Sequence, residues 1–265
     1  MSSSIEDFYS KKIPNLNKVR TKKKEAKKVP INSWSSFYKE RLKDIKKAGL
    51  AGENYYYRKN NPPYFQKIPG SIPYLLLRES LVEKLKNINK KLEKIGLEVY
   101  LFDGYRPIAV QQYIRDVWLM AYLKKQKPFW PKEKIKKEIN KYWAKVNLNT
   151  LAKTPPPHST GGALDLTLRK IKTGDLITMG SQFDILKENA FTDYFENLRA
   201  KKKLSFYEIE AMENRRLLYW LMASEGFANN PNEWWHYSWG EQVWAKLKNK
   251  KNAFYSYLDI NNLKA

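Results

Sequence analysis

The chain has 265 residues, enough for one large domain with a sizeable core, and it has no cysteine. That excludes disulfides, thiolate metal ligands and a cysteine nucleophile, and leaves the redox compartment open. Fifty Lys and Arg against 27 Asp and Glu give a formal charge of +23, with Lys outnumbering Arg 40 to 10. Base-edge readout leans on bidentate Arg, so this charge reads as a solvated surface and no nucleic-acid partner is expected.

Residues 1–30 hold nine basic side chains against three acids and no apolar core, which reads as a basic extension, mobile or packed at the periphery. No signal peptide stands in the chain as written, so the expected compartment is the cytoplasm, or the envelope or exterior if a signal has been removed. The stretch "INSWSSFYKERLKDIKKAGL" (31–50) reads as helical, and "NYYYRKNNPPYFQKIPG" (54–70) as turns punctuated by Pro62, Pro63, Pro69 and Gly70. In "SLVEKLKNINKKLEKIGL" (80–97), Leu81, Leu85, Ile88, Leu92 and Ile95 recur at helical spacing, with Ser80 as N-cap and Gly96 as terminator. "LEVYLFD" (97–103) alternates as a strand that puts Leu97, Val99, Leu101 and Asp103 on one face. "DGYRP" turns the chain, and Pro107 suits the first turn of a helix through 125.

The Lys-rich 124–150 stretch reads as helix and loop. "GGALDLTL" (161–168) is a strand with Leu164, Leu166 and Leu168 on one face and Asp165 on the other. "SFYEIEAMENRRLLYWLMASEGF" (205–227) opens on a capping box, Ser205 to Glu208, and stops at Gly226. Residues 233–239 read as an aromatic strand. The longest apolar run, "LLYWLMA" (217–223), is far too short to span a bilayer. Helices and strands do not strictly alternate, so the expected class is α+β with a mainly antiparallel sheet packed with helices.

Only two histidines occur, and each lies beside a carboxylate and special backbone residues. His158 sits in "PPPHSTGGALDLTL", with Asp165 seven positions on. Asp165 needs a partner, and a metal ion, a buried Arg or backbone donors would each serve. His236 sits in "EWWH", three residues after Glu233. On a regular strand that spacing faces opposite ways, so a bulge or turn at Trp234–Trp235 is required for the two to converge; otherwise His236 is an imidazole in an aromatic core. Two imidazoles and one carboxylate are the ligand count of a catalytic zinc site, with one position open. Glu233 would then be a spare carboxylate able to take a proton from water and hand it to a leaving amine. There is no HExxH, which excludes the helical zincin arrangement.

In their order, "DGYRP", "HSTGGALDLTL", "MGSQFD" and "EWWHYSWG" resemble the VanX-type D-alanyl-D-alanine dipeptidases over about residues 70–245. These belong to the zinc DD-peptidases that share a fold with the Hedgehog signalling domain. The resemblance implies one zinc per chain held by His158, Asp165 and His236, with Glu233 as general base and acid. It implies Arg106 as the group that stabilises the oxyanion and Asp184 as a carboxylate for the dipeptide's ammonium. The implied partner is a small free dipeptide, with weak contact to anionic envelope polymers as a role for the basic segments.

On this reading residues 1–50 form a basic, partly helical or mobile N-terminal extension and 51–265 a single catalytic domain. The resemblance departs at Pro156, where the family usually carries Ser, and this bears on one substrate contact. Two other functions fit part of the pattern. One is a zinc DD-carboxypeptidase or peptidoglycan endopeptidase acting on longer muropeptides. The other is a basic polyanion-binding protein with a structural zinc.

Overall fold

The computed structural model describes residues 5–143 and 145–260. The first helices are short: α1 (Asp7–Ser10) and α2 (Asn17–Lys23), followed by a 3-10 turn at Ala26–Lys28. Ile13, Leu16 and Ala26 are buried, so this basic segment is packed on the body of the protein. Buried polar partners fix it there. The Ile13 and Leu16 amides donate to Glu196 (3.0 Å) and Asp193 (3.1 Å).

Residues 31–50 form turns and one strand where helical spacing predicts a helix. β1 (Leu42–Asp44) pairs antiparallel with β3 (Leu76–Arg78), with β2 (Ala51–Gly52) between them in the chain. Strand pairing at Leu42–Asp44 and the burial of Ile45 override the local preference.

α3 (Glu79–Leu92) follows, and its buried stripe is the expected one: Leu81, Leu85, Ile88 and Leu92. Ser80 is not the cap. Arg78 occupies that position, and the Ser80 amide donates to the Glu40 carboxylate at 3.0 Å. β4 (Leu97–Asp103) leads into α4 (Ile108–Tyr113), a π-helical turn at Ile114–Trp118 and α5 (Leu119–Gln126), where one continuous helix is predicted. α6 (Lys132–Tyr142), β5 (Ala163–Lys170) and α7 (Tyr194–Arg199) come next. Both halves of the Ser205/Glu208 capping box form at the start of α8 (Phe206–Ser224). The chain then makes β6 (Ala228–Asn229), β7 (His236–Ser238) and α9 (Gln242–Leu247).

The main sheet runs β2-β4-β5-β7-β6; only β2–β4 is parallel. This is the α+β architecture. Leu164, Leu166 and Leu168 of β5 join the core with the α3 stripe and with Leu217, Leu218 and Leu221 of α8. Each such leucine contributes about 1.5–3 kcal/mol by leaving water. Among the described residues no helix is long and apolar enough to cross a membrane.

One irregularity in β4 differs from strict alternation. Val99 pairs with Leu168 and Leu101 with Leu166, but the register then shifts and Asp103 pairs with Asp165. The bulge at Phe102 transfers Asp103 from the leucine side of the sheet to the Asp165 side. On the next strand Asp165 is opposite His236. Three polar residues therefore lie abreast across β4, β5 and β7, facing away from the leucine core.

Candidate active site

His158 is delivered by a 3-10 turn, Pro157–Thr160, which Pro155 and Pro156 keep from starting earlier. The turn ends on Gly161 at φ +70°, and a Cβ there would stand 2.5 Å from Leu42 Cδ2. Arg78 fastens it from below, its Nε donating to Thr160 O at 2.8 Å. The His158 ring Nδ1 lies 2.9 Å from Gly104 O. A carbonyl only accepts, so Nδ1 carries the proton and the Nε2 lone pair is free.

Glu233 and His236 do converge, because residues 233–236 form a turn and not a strand: the His236 amide donates to Glu233 O at 3.2 Å. The regular strand begins only at His236, three residues later than the aromatic pattern predicts. Trp234 and Trp235 anchor that turn. Trp234 Nε1 donates to Ser181 Oγ at 2.8 Å, and the Trp235 ring packs on Phe183 at 5.3 Å. The Trp pair thus joins the Glu233 turn to the "MGSQFD" segment.

The two imidazoles and Asp165 meet at one point. His158 Nε2 lies 3.1 Å from His236 Nδ1, His236 Nδ1 lies 3.0 Å from Asp165 Oδ1, and Asp165 Oδ1 lies 3.4 Å from His158 Nε2. All three residues are buried. Ligand atoms about 2.0–2.1 Å from a tetrahedral ion are about 3.3 Å from one another, so this triangle fits zinc. The far ring nitrogens are also occupied: His158 Nδ1 by Gly104 O, and His236 Nε2 by Ser238 Oγ at 3.3 Å. Such outer partners set tautomer and ring orientation at metal sites. Glu233 Oε2 is 3.8 Å from His236 Nδ1 and takes no part in the triangle.

Burial works to raise the Asp165 carboxyl, yet the facing imidazoles of His158 and His236 hold it well below the usual carboxylate range. Burial and the Arg106 charge pull His158 down, but Asp165 and Asp103 hold it above the ordinary imidazole value. Arg106 sits between the acids. Its Nε donates to Asp103 at 2.7 Å and its Nη2 to Asp165 at 3.1 Å, while the guanidinium lies over the Tyr56 ring at 4.6 Å. The bridge to Asp103 is therefore one half of a two-acid clamp.

Asp184 is not a helix N-cap; it stands at φ +60° in a turn. Its Oδ2 accepts from Tyr56 Oη at 2.9 Å and from Tyr64 Oη. Burial pushes its pKa up to about 6, against the lowering influence of Arg106 and the two phenols. Arg106, His158, Asp165, Asp184, Glu233 and His236 all line one cavity of about 510 Å³.

Residues that spacing does not single out complete this arrangement. Tyr56 and Tyr64 come from the turn-rich 54–70 stretch, Asp103 from the bulge, and Asn230 and Lys23 from opposite ends of the chain. Asn230 Nδ2 donates to Glu233 Oε2 at 2.7 Å, and Asn230 Oδ1 accepts from Lys23 Nζ at 2.8 Å.

With this geometry in place, the kinship of the chain is direct. The model of the M15 peptidases, described as D-ala-D-ala dipeptidase, matches residues 49–256, and the chain belongs to that family. A D-alanyl-D-alanine dipeptidase of Synechocystis sp. is 36% identical over 192 residues, covering 69% of this chain and 76% of the relative. The corresponding dipeptidase of Enterococcus faecalis is 32% identical, covering 54% of this chain and 62% of its own. The solved structure of VanYB in complex with D-Alanine-D-Alanine aligns with 84% of this chain and 92% of that one, at 13% identity and a TM-score of 0.42.

Proposed function

We propose that this chain is a zinc-dependent dipeptidase that hydrolyses free D-alanyl-D-alanine to two molecules of D-alanine. The observation that carries the reading is the buried His158–Asp165–His236 triangle, with atoms 3.0–3.4 Å apart and the Glu233 carboxylate 3.8 Å from one corner. Family membership and the similarity to D-alanyl-D-alanine dipeptidases support the substrate.

His158, Asp165 and His236 would hold one zinc ion. When bound, zinc supplies Lewis acidity, which lowers the proton affinity of water and polarises a carbonyl. The residues do the rest. Asp184, backed by Tyr56 and Tyr64, receives the dipeptide's ammonium. An internal peptide has no charge at that place, so the site favours free dipeptides over longer chains. Glu233 takes a proton from the attacking water as its oxygen bonds to the carbonyl carbon. It then gives that proton to the amine as the C–N bond breaks. Arg106, held rigid by Asp103 and Asp165, presents a fixed positive charge to the carbonyl oxygen as it becomes anionic. Loss of one such group costs about 10²–10³ in rate.

The test is metal content together with D-alanine release. Purified protein should bind one equivalent of zinc and cleave the dipeptide faster than a pentapeptide ending in D-Ala-D-Ala. Glu233→Gln should keep the metal and lose about 10²–10⁴ of the turnover. Full activity in that variant would remove Glu233 from the mechanism, and preference for the pentapeptide would make the protein a carboxypeptidase.

A further inference from the structure

The family match begins at residue 49, yet Lys23, Ala26 and Lys27 from the segment before it line the catalytic cavity. That segment is seated firmly. Arg20 forms an ion pair with Asp193, donates to Pro231 O and Asn232 Oδ1 at 3.0 Å each, and lies over the Phe191 ring at 4.9 Å. Two of these anchor points, Pro231 and Asn232, are the residues just before Glu233, so α2 and the Glu233 turn are held as one unit.

Lys23 ends in the middle of this unit. Its ammonium donates to Asn230 Oδ1 at 2.8 Å, its one hydrogen-bond partner among the described residues. An ammonium has three donors, so two remain for the cavity that the side chain lines. Burial holds its pKa below the ordinary lysine value, against the raising influence of the Glu233 and Glu241 charges. Asp184, by contrast, sits among Arg106, Tyr64, Asp165 and Tyr56. The cavity lining therefore carries a carboxylate at Asp184 and, separately, a lysine ammonium that shares Asn230 with Glu233. Arg106 is already committed to two carboxylates, and the other lysines of the lining, Lys27, Lys145 and Lys187, are exposed. Lys23 is half-buried.

The chemistry of a dipeptide assigns that cation a ligand. Glu233 protonates the leaving amine, and in a free dipeptide the carbon bonded to that nitrogen also bears the terminal carboxylate. A positive charge next to the general acid thus stands where the carboxylate falls. We infer that the N-terminal segment completes the active site and that Lys23 binds the substrate's terminal carboxylate. This rests on the dipeptidase reading above. With Asp184 taking the ammonium, each charge of the zwitterion then has a partner in the site.

The test compares D-Ala-D-Ala with its C-terminal amide, which keeps every group except the negative charge. Calorimetry on the zinc-loaded full-length Glu233→Gln protein gives binding without turnover. The acid should bind about 10–100-fold more tightly than the amide. Adding Lys23→Met should bring that ratio near one, mainly by weakening the acid; Lys23→Arg should preserve it. An unchanged ratio in Lys23→Met, with wild-type turnover intact, would overturn the inference alone. Absence of D-alanine release by the wild type would overturn the dipeptidase reading and this inference with it.

Discussion

Asp165 and His236 lie directly opposite each other on β5 and β7, with Oδ1 3.0 Å from Nδ1. A cross-strand pair at this separation is fixed by the ladder, so two of the three corners of the triangle need no loop to position them. Asp165 also receives Arg106, so in the proposed mechanism it is shared by the zinc ligands and the group that stabilises the oxyanion. Asp165→Asn keeps the shape and removes the charge. It should lower zinc affinity by about 100-fold and leave Asp103 as the one carboxylate hydrogen-bonded to Arg106. Chelator competition measures the first effect and the metal-free melting temperature the second. Unchanged zinc affinity would exclude Asp165 as a ligand.

Asp184 predicts a pH dependence whose sign follows from its pKa of about 6. In the proposed role, the carboxyl is neutral below that value and would hold the substrate's ammonium poorly; above it the charge is present. KM should therefore fall as pH rises through about 6, with kcat much less affected. The same shift has a cost in stability. The unfolded chain ionises at lower pH than the folded one, so this group lowers stability as pH rises from the ordinary carboxylate value to about 6. Asp184→Asn should accordingly raise the melting temperature at pH 7–8 while raising KM and removing its pH dependence. A lower melting temperature at neutral pH would contradict the burial argument.

The convergence of His158, Asp165 and His236 was legible because each residue carries a local signature. These are a proline-bounded turn with following glycines, a polar residue within an alternating strand, and an aromatic run that must bend. The partners of these residues were not. Alternation places Asp103 with the leucines, and only the unpaired Phe102 shifts it across, a feature with no mark in composition. Tyr56 and Tyr64 reach Asp184 over more than a hundred residues from a stretch that reads only as turns. Residues 31–50 depart from helical spacing because β1 gains a ladder with β3 that no local propensity encodes. Lys23 was one of nine basic residues in an unpatterned extension, and nothing but tertiary packing distinguishes it from its neighbours.

Arg20 tests whether that extension is structural. Burial alone would raise the Asp193 carboxyl, but Arg20 and the Leu16 amide hold it below the usual carboxylate value. A depressed folded-state pKa gives stability that is present above the ordinary value and is lost as pH falls through the folded one. Arg20→Ala leaves a buried carboxylate with fewer partners and should cost about 3 kcal/mol at pH 7. The gap from wild type should close in acid. Urea titrations at neutral and acidic pH measure both. An equal gap at both pH values would show that packing of Arg20 on Phe191, and not the ion pair, holds the segment.

Arg215 holds the other side of the cavity without touching it. From α8 its Nε, Nη1 and Nη2 donate separately to the carbonyls of Met179, Phe191 and Asn189, each at 2.7 Å. These carbonyls flank the turn that presents Asp184 and the strand-free segment behind Trp234. One planar fork joins three backbone points, a geometry that a lysine ammonium on a flexible stem does not reproduce. Arg215→Lys should therefore be destabilising by about 2–4 kcal/mol despite conserving charge. If Arg215 positions Asp184, the variant should also raise KM for the dipeptide with little change in zinc affinity, since the metal triangle lies on β5, β7 and the Pro157–Thr160 turn. Hydrogen exchange should quicken at residues 179–191 ahead of β4 and β5. Uniform loss of protection across the sheet would instead make Arg215 a general core residue with no particular bearing on the substrate's ammonium end.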